Sequence, residues 1–330
     1  MVGGIIQSGC VTLKSMALYV NSKGLLRAKL AKVERLLQGQ VFDYCQIGLL
    51  ILQIVRSLLP DKFLIAIDRT NWKFGKKDVN YLVACIVVGK ISLPIAWLVL
   101  DKKGNSNSLE RQELIRQVLK IVPAERIASI LADREFVGKD WLTFLQTSNI
   151  PFIIRVKENQ QINHPNGGKM KLKRYFTDLK RAQFACLSRK FADLNLQVTC
   201  LKLPNEKLIV VSSNTIGQDA LKIYAQRWSI ERCFKSLKGA GFNLEQTHLI
   251  HPERLRKLFG VASIALTFCV VAGHIKEKLT RIPIKKHGRP LLSIFTYGFS
   301  WLKEFLIDSQ KSSLINLSKC LFSAIIPPET

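Results

Sequence analysis

Apolar and polar positions change their period repeatedly along the chain. Through residues 1–60, the stretches KGLLRAKLAKVERLLQ and CQIGLLILQIVRSLL carry apolar residues three and four apart, which predicts helices. Lys and Arg interleave the first of them. This region is either a basic surface for DNA phosphates or a helical cap on the core. From Asp61 the pattern shifts to short, dense apolar runs, FLIAID, YLVACIVVG and ISLPIAWLVL, separated by polar loops. Such runs predict three strands of a buried sheet. The segment LERQELIRQVLKIV then predicts an amphipathic helix capped by Ser108, followed by a strand RIASILAD, a helix KDWLTFLQTS and a strand PFIIRVKEN. A three-strand meander followed by alternating helices and strands predicts an α/β domain whose sheet mixes antiparallel and parallel pairs.

Beyond Asn159 the alternation stops. Residues 160–215 hold alternating segments, LNLQVTCLKL and KLIVVSS, around HPNGGK and the basic run KMKLKRYF, and predict a β-rich insertion. Residues 216–275 return to helix, with the apolar run Leu258–Gly273 too short for a comfortable bilayer span and expected to be buried. Residues 276–330 form a basic, Gly- and Pro-punctuated tail, and residues 61–159 are the first part of the core.

Within the second helical region, YAQRWSIERCFKSLKG (Tyr224–Gly239) combines two faces. At about 100° per residue, Tyr224, Arg227, Glu231 and Lys238 fall within about 60° of one another, beside an apolar band of Ile223, Ile230, Phe234 and Leu237. Taken alone, a Glu among cations on a helix reads as a surface ion pair.

Charge changes that picture. The chain has 50 Lys plus Arg against 24 Asp plus Glu, a net +26 spread along its length. Such a field attracts a polyanion, and counterion release from nucleic acid is its commonest use. Between Arg155 and Thr215, twelve basic residues face four acidic ones, which suggests a second phosphate-binding surface. The first ten residues lack the basic start and apolar centre of a signal peptide, so a cytoplasmic protein without membrane contact is expected. Eight scattered cysteines with no CxxC pair are expected to be reduced thiols.

Two carboxylates stand where chemistry is usually built. Asp68 ends FLIAID and Asp133 ends SILAD, and the carboxyl ends of strands in an α/β sheet border the ligand crevice. With Glu231 they offer three hard oxygen donors, the set that suits Mg²⁺ and a two-ion displacement at phosphate. Glu135 and Asp101 are rival carboxylates, and His248 and His251 form a weak His-x2-His pair. There is no P-loop, no HExxH and no nucleophile with a base.

With these residues in place, the chain resembles the DDE transposases of bacterial insertion sequences, in the IS-four-type group with the signature Tyr-x2-Arg-x3-Glu-x6-Lys. Tyr224, Arg227, Glu231 and Lys238 fit every position. The blocks IDRTNWKFG, LPIAWLVLDKKGNS, LADREF and HGRPLLSIFTYGFSWL look like the family's surroundings. The resemblance implies an RNase H-like fold with a β insertion ahead of the Glu231 helix. It implies catalysis and metal binding by Asp68, Asp133 and Glu231, with two Mg²⁺ that Mn²⁺ can replace. Cleavage of transposon ends and joining of the freed 3′-OH to target DNA would follow, by a homodimer assembled on double-stranded DNA. Tyr224, Arg227 and Lys238 would contact the end DNA. Trp72, in a loop after Asp68 expected to be exposed, is either a base-stacking platform or a core residue. A nuclease of the same fold that cuts without joining, and an inactive DNA-binding remnant, are the alternatives.

Overall fold

Two Gly-Lys turns shape the first half of the sheet. In the computed structural model, which describes residues 1–164 and 166–308, β1 (Phe63–Phe74) and β2 (Lys77–Val88) flank Gly75-Lys76, while β2 and β3 (Ile91–Val99) flank Gly89-Lys90. Both glycines take positive φ, 57° and 58°, at the first central position of a two-residue turn. A side chain resists that conformation, and a two-residue hairpin requires it. The chain continues through β4 (Ile127–Ala132), β5 (Phe152–Val156), a two-stranded ribbon of β6 (Gln161–Asn163) and β7 (Lys169–Lys171), then β8 (Phe184–Phe191), β9 (Leu194–Lys202) and β10 (Lys207–Ser212). The main sheet has eight strands in the order β3-β2-β1-β4-β5-β10-β9-β8. Its first five, an antiparallel meander with β4 and β5 parallel to β1, are the RNase H-like arrangement. The expected mixed sheet is therefore present. The β-rich segment after β5 is not set apart, because β10 pairs antiparallel with β5 and extends the same sheet.

The strand bearing Asp68 is longer than its apolar run. It continues to Phe74, so Asp68 lies inside β1 and not at its end. Parallel pairing with β4 stops at Ile67↔Ala132. Beyond that step β1 has β2 as its ladder partner, on one side only, and its residues turn mostly polar. Trp72 belongs to this extension. It is not in an exposed loop: its side chain is 8 % exposed and stacks on Tyr81 at 5.5 Å, so the core reading holds for its placement.

Helices flank the sheet: α1 (Val2–Ser8), α2 (Leu13–Leu18), α3 (Leu26–Gly39), α4 (Tyr44–Ile54), α5 (Ser108–Leu119), α6 (Lys139–Thr147), α7 (Leu172–Tyr175), α8 (Gly217–Ala225), α9 (Ser229–Leu237), α10 (Pro252–Leu279) and α11 (Ile294–Asp308). The first helices pack on the core, α4 on β3 and α10, and α1 and α3 on α10. Helix α5 is capped by Asn107 and not by Ser108. Asn107 Oδ1 accepts from the Glu110 N–H at 2.9 Å, and Glu110 Oε2 accepts from the Asn107 N–H at 2.8 Å, a closed capping box. Helix α10 is long and apolar enough to cross a membrane, but 78 % of its apolar window is buried within the fold. The seven described cysteines are unpaired thiols, and Cys320 lies outside the described residues.

The tail expected from residue 276 instead starts inside α10 and includes α11, with Phe295 and Phe299 stacked at 5.6 Å and both packed on Phe242. Residues 309–330 of that tail lie outside the described residues. Helices α10 and α11 cross almost backbone to backbone. A Cβ on Gly298 would lie 1.9 Å from the Cys269 carbonyl oxygen, and one on Gly273 2.1 Å from that of Ile294. Gly298→Ala should therefore cost about 1–3 kcal/mol in chemical denaturation, whereas Gly3→Ala, which meets nothing within 4 Å, is the control for the crossing. Equal stability of the two variants would contradict the close approach.

Candidate active site

The sheet register brings the two aspartates side by side. Ile67↔Ala132 is the last parallel pair, on strands about 4.8 Å apart, and Asp68 within β1 and Asp133 just past the end of β4 each follow that pair directly. Each carboxylate is braced by the residue after it: Asp68 Oδ1 accepts from the Arg69 N–H at 2.8 Å, and Asp133 Oδ1 from the Arg134 N–H at 2.7 Å.

The third carboxylate arrives on a helix. Helix α8, the 3₁₀ turn Gln226–Trp228 and α9 follow one another without a break, so Arg227 and Glu231 remain four residues apart on one face. Ile230, Phe234 and Leu237 are buried, and α9 packs on β1, β2 and β3. That anchorage sets Glu231 facing Asp68 across a single side chain. Arg227 donates from one terminal nitrogen to Asp68 Oδ2 at 3.0 Å and from the other to Glu231 Oε1 at 2.9 Å.

The expected stripe is thus divided. Tyr224 and Arg227 are buried at 7 % exposure each, with the guanidinium 6.0 Å from the Tyr224 ring centre. Lys238 falls just past the end of α9, where its ammonium donates to the Asn71 carbonyl at 3.2 Å, pairs with Glu245 at 2.7 Å and lies 5.6 Å from the Trp72 ring centre. In this state the three residues expected on DNA are turned to protein partners.

Arg69 is the member that sequence reading missed. Its Nε and one terminal nitrogen grip both oxygens of Glu135 at 2.8 and 3.1 Å, and its terminal nitrogens also donate to Asn80, the Gly104 carbonyl and Asn105. One guanidinium thus ties the loop after β3 and the loop after β4 to the strand carrying Asp68. The signal was available, since Arg follows each aspartate in IDRT and ADRE. Glu135, a rival donor, is neutralised by this contact, and Asp101 pairs with Lys77 at the surface. His248 stacks on Phe74 at 5.0 Å, and His251 is the N-cap residue of α10; they do not form a metal pair.

Burial raises the Asp68 carboxyl to about 6, against the pull of Arg227 and the Arg69 N–H, with Glu135 and Asp133 pushing the same way as burial. Burial likewise lifts Tyr224 to about 12. For Arg227, burial opposes the charge, while Tyr224, Asp68, Asp133 and Glu231 hold it on. The site is a half-buried cluster of negative charge organised around one buried cation. Asp68, Asp133 and Glu231 are of the right chemical kind to hold Mg²⁺, and Arg227 supplies a positive charge among them. Among the described residues, no three such side chains are drawn together as a ready metal cluster.

Asp68 also makes stability depend on pH. Its folded value of about 6 exceeds the unfolded carboxyl value of about 4, so the folded chain holds more protons in that window. Stability therefore falls as pH rises from about 4 to about 6. With divalent ions chelated, the wild type should lose up to about 3 kcal/mol more than Asp68→Asn across this range, read from denaturation midpoints at each pH. Parallel curves would contradict the assignment.

A family model for the transposase DDE domain matches residues 60–268. None of the curated proteins is a detectable sequence match. Among solved structures, the chain is similar to a piggyBac transposase synaptic complex with hairpin DNA, at 12 % identity and a TM-score of 0.49, covering 100 % of this chain and 76 % of that one. It is similar also to an endonuclease V from Bacillus subtilis, at 9 % identity, TM-score 0.30 and coverage of 75 % and 94 %. An endonuclease V from Ciona intestinalis in complex with inosine-containing DNA follows at 14 %, 0.29, 66 % and 95 %. These superpositions are too loose to bear on the chemistry. The family match alone covers most of the chain, from just before β1 to the middle of α10, and by it this chain belongs to the transposase DDE domain family.

Proposed function

We propose that this chain is an insertion-sequence transposase of the Tyr-x2-Arg-x3-Glu-x6-Lys group, which cuts element ends and joins the freed 3′-OH to target DNA. The observation that carries the reading is the register of Asp68 beside Asp133, with Glu231 held opposite through Arg227, inside a transposase DDE domain. Asp68, Asp133 and Glu231 would hold two Mg²⁺, or Mn²⁺ in their place. When bound, the ions supply an activated attacking oxygen and stabilise the leaving one. In the first step water oxygen attacks phosphorus and the P–O3′ bond breaks, leaving a 3′-OH. In the second, that hydroxyl attacks a target phosphodiester, so one P–O bond replaces another and no energy source is required.

The protein's own cations do the positioning. Tyr224 and Arg227 lie beside the carboxylates and Lys238 reaches the same strand at Asn71, and phosphates entering there offer the two basic residues new partners. A second basic surface sits in the β6–β7 ribbon. A cavity of about 480 Å³ there is lined by His164, Lys169, Lys171, Lys173 and Arg174, with no acidic side chain in its wall. The ribbon leaves the sheet from the carboxyl end of β5, which is parallel to β4, so it springs from the same sheet edge as Asp133. Duplex DNA crossing that edge meets both, and the net charge of +26 favours its approach. Each chain carries one carboxylate set while an element has two ends, which supports a homodimer assembled on DNA. The same reading puts the protein at the nucleoid in the bacterial cytoplasm.

A labelled duplex bearing the repeats that flank the gene tests this. With Mg²⁺ the wild type should yield nicked ends and joined products. Asp68→Asn, Asp133→Asn and Glu231→Gln should each lose at least about a thousandfold in cleavage while still shifting DNA in a gel. Nicks without joined products would favour the nuclease alternative, and full cleavage by the variants would refute the site.

A further inference from the structure

Both oxygens of Asp68 are occupied. Oδ1 takes the Arg69 N–H at 2.8 Å and Oδ2 takes the Arg227 guanidinium at 3.0 Å. The other guanidinium nitrogen holds Glu231 at 2.9 Å, so Arg227 bridges two carboxylates and does not fork onto one. It does so with its side chain only 8 % exposed. A divalent cation that binds Asp68 through Oδ2 and Glu231 through Oε1, the two oxygens that face each other, must take over oxygens now bound to the guanidinium. Displacing the guanidinium strands a buried charge, the costly half of breaking any buried ion pair. A phosphate is the ligand that removes this cost, because its oxygens accept from guanidinium with the same geometry as a carboxylate.

We propose that Arg227 makes divalent-cation binding at Asp68 and Glu231 conditional on DNA, by holding both carboxylates until a DNA phosphate draws the guanidinium away. The inference rests on the metal-site reading above and adds a coupling to it. Linkage makes the coupling reciprocal: DNA tightens the metal as much as the metal tightens DNA. The consequence is a nuclease centre that stays uncharged with metal until DNA lies across it. Arg227 is on this account a positioning residue in the free protein and a phosphate ligand in the complex.

Mn²⁺ binding to the full chain, followed by the electron paramagnetic resonance signal of the free ion, tests this. Isotherms are taken with and without a short duplex and corrected for the duplex alone. Wild-type affinity should rise about tenfold or more with DNA, within the usual range of coupling between sites. Arg227→Gln should bind Mn²⁺ without DNA about as tightly as the wild type does with it, and DNA should add little. Arg227→Lys, a point charge that cannot bridge two carboxylates, should lie between them and serves if the Gln variant fails to fold. Equal Mn²⁺ affinity of these variants and the wild type without DNA, or a wild-type affinity indifferent to DNA, would overturn the coupling. Asp68→Asn separates the two claims: Mn²⁺ binding that survives it shows that the metal-site reading has failed, whatever Arg227 does.

Discussion

The bridge from Arg227 to Asp68 and Glu231 is the contact on which the site depends. Asp68 and Glu231 come from a central strand and a packed helix far apart in sequence, and both are partly buried beside Asp133 and Glu135. Without a cation among them their repulsion and desolvation would drive protons on or the helix off. The guanidinium settles this at short range with two charge-assisted bonds. Everything around it serves to hold that geometry: the Asp68–Asp133 register, the apolar underside of α9, and the second guanidinium of Arg69 tying Glu135 and the loop after β3 into place.

The same contact gives the cluster two faces. Toward the core it is a satisfied ion pair, with Tyr224 beneath the guanidinium. Toward solvent, Glu231 is more than a third exposed and Asp68 a fifth, so a ligand can approach the two carboxylates although the oxygens facing Arg227 are taken. A buried arginine that can trade carboxylate for phosphate suits an enzyme whose substrate is itself a polyanion. The transposase DDE domain family places that substrate within reach, and the cation-lined ribbon on the same sheet edge extends the surface available to it.

Much of this was legible from the sequence because burial writes itself into hydrophobic runs. The three meander strands, β4, β5 and the helix around Leu258 were readable in that way, as was the candidacy of Asp68 and Asp133 after apolar runs. What escaped lies where burial and pattern separate. The polar half of β1 pairs on one side only, so no apolar run marked it, and Trp72 was expected in a loop. Helix α11 was hidden in a stretch judged by its charge, although its Gly298 lets it close on α10 and its Phe295 and Phe299 pack on Phe242. The helical wheel aligned Lys238 with Glu231, but a wheel cannot show that the helix stops at Leu237, nor that an arginine on the polar stripe is buried. Ion pairs between distant segments, Arg69 with Glu135 and Arg227 with Asp68, carry no local periodicity and appear only when the sheet is assembled.

The central claim is that Asp68, Asp133 and Glu231 form one divalent-metal site. Replacing Mg²⁺ by Fe²⁺ on the DNA-bound protein and generating hydroxyl radicals with ascorbate and peroxide maps the site directly, because the radicals cut the chain beside the bound ion. The account predicts backbone cuts clustered near Asp68, Asp133 and Glu231 together, all suppressed by excess Mg²⁺. Cuts confined to one of these positions, or centred elsewhere on the chain, would contradict it.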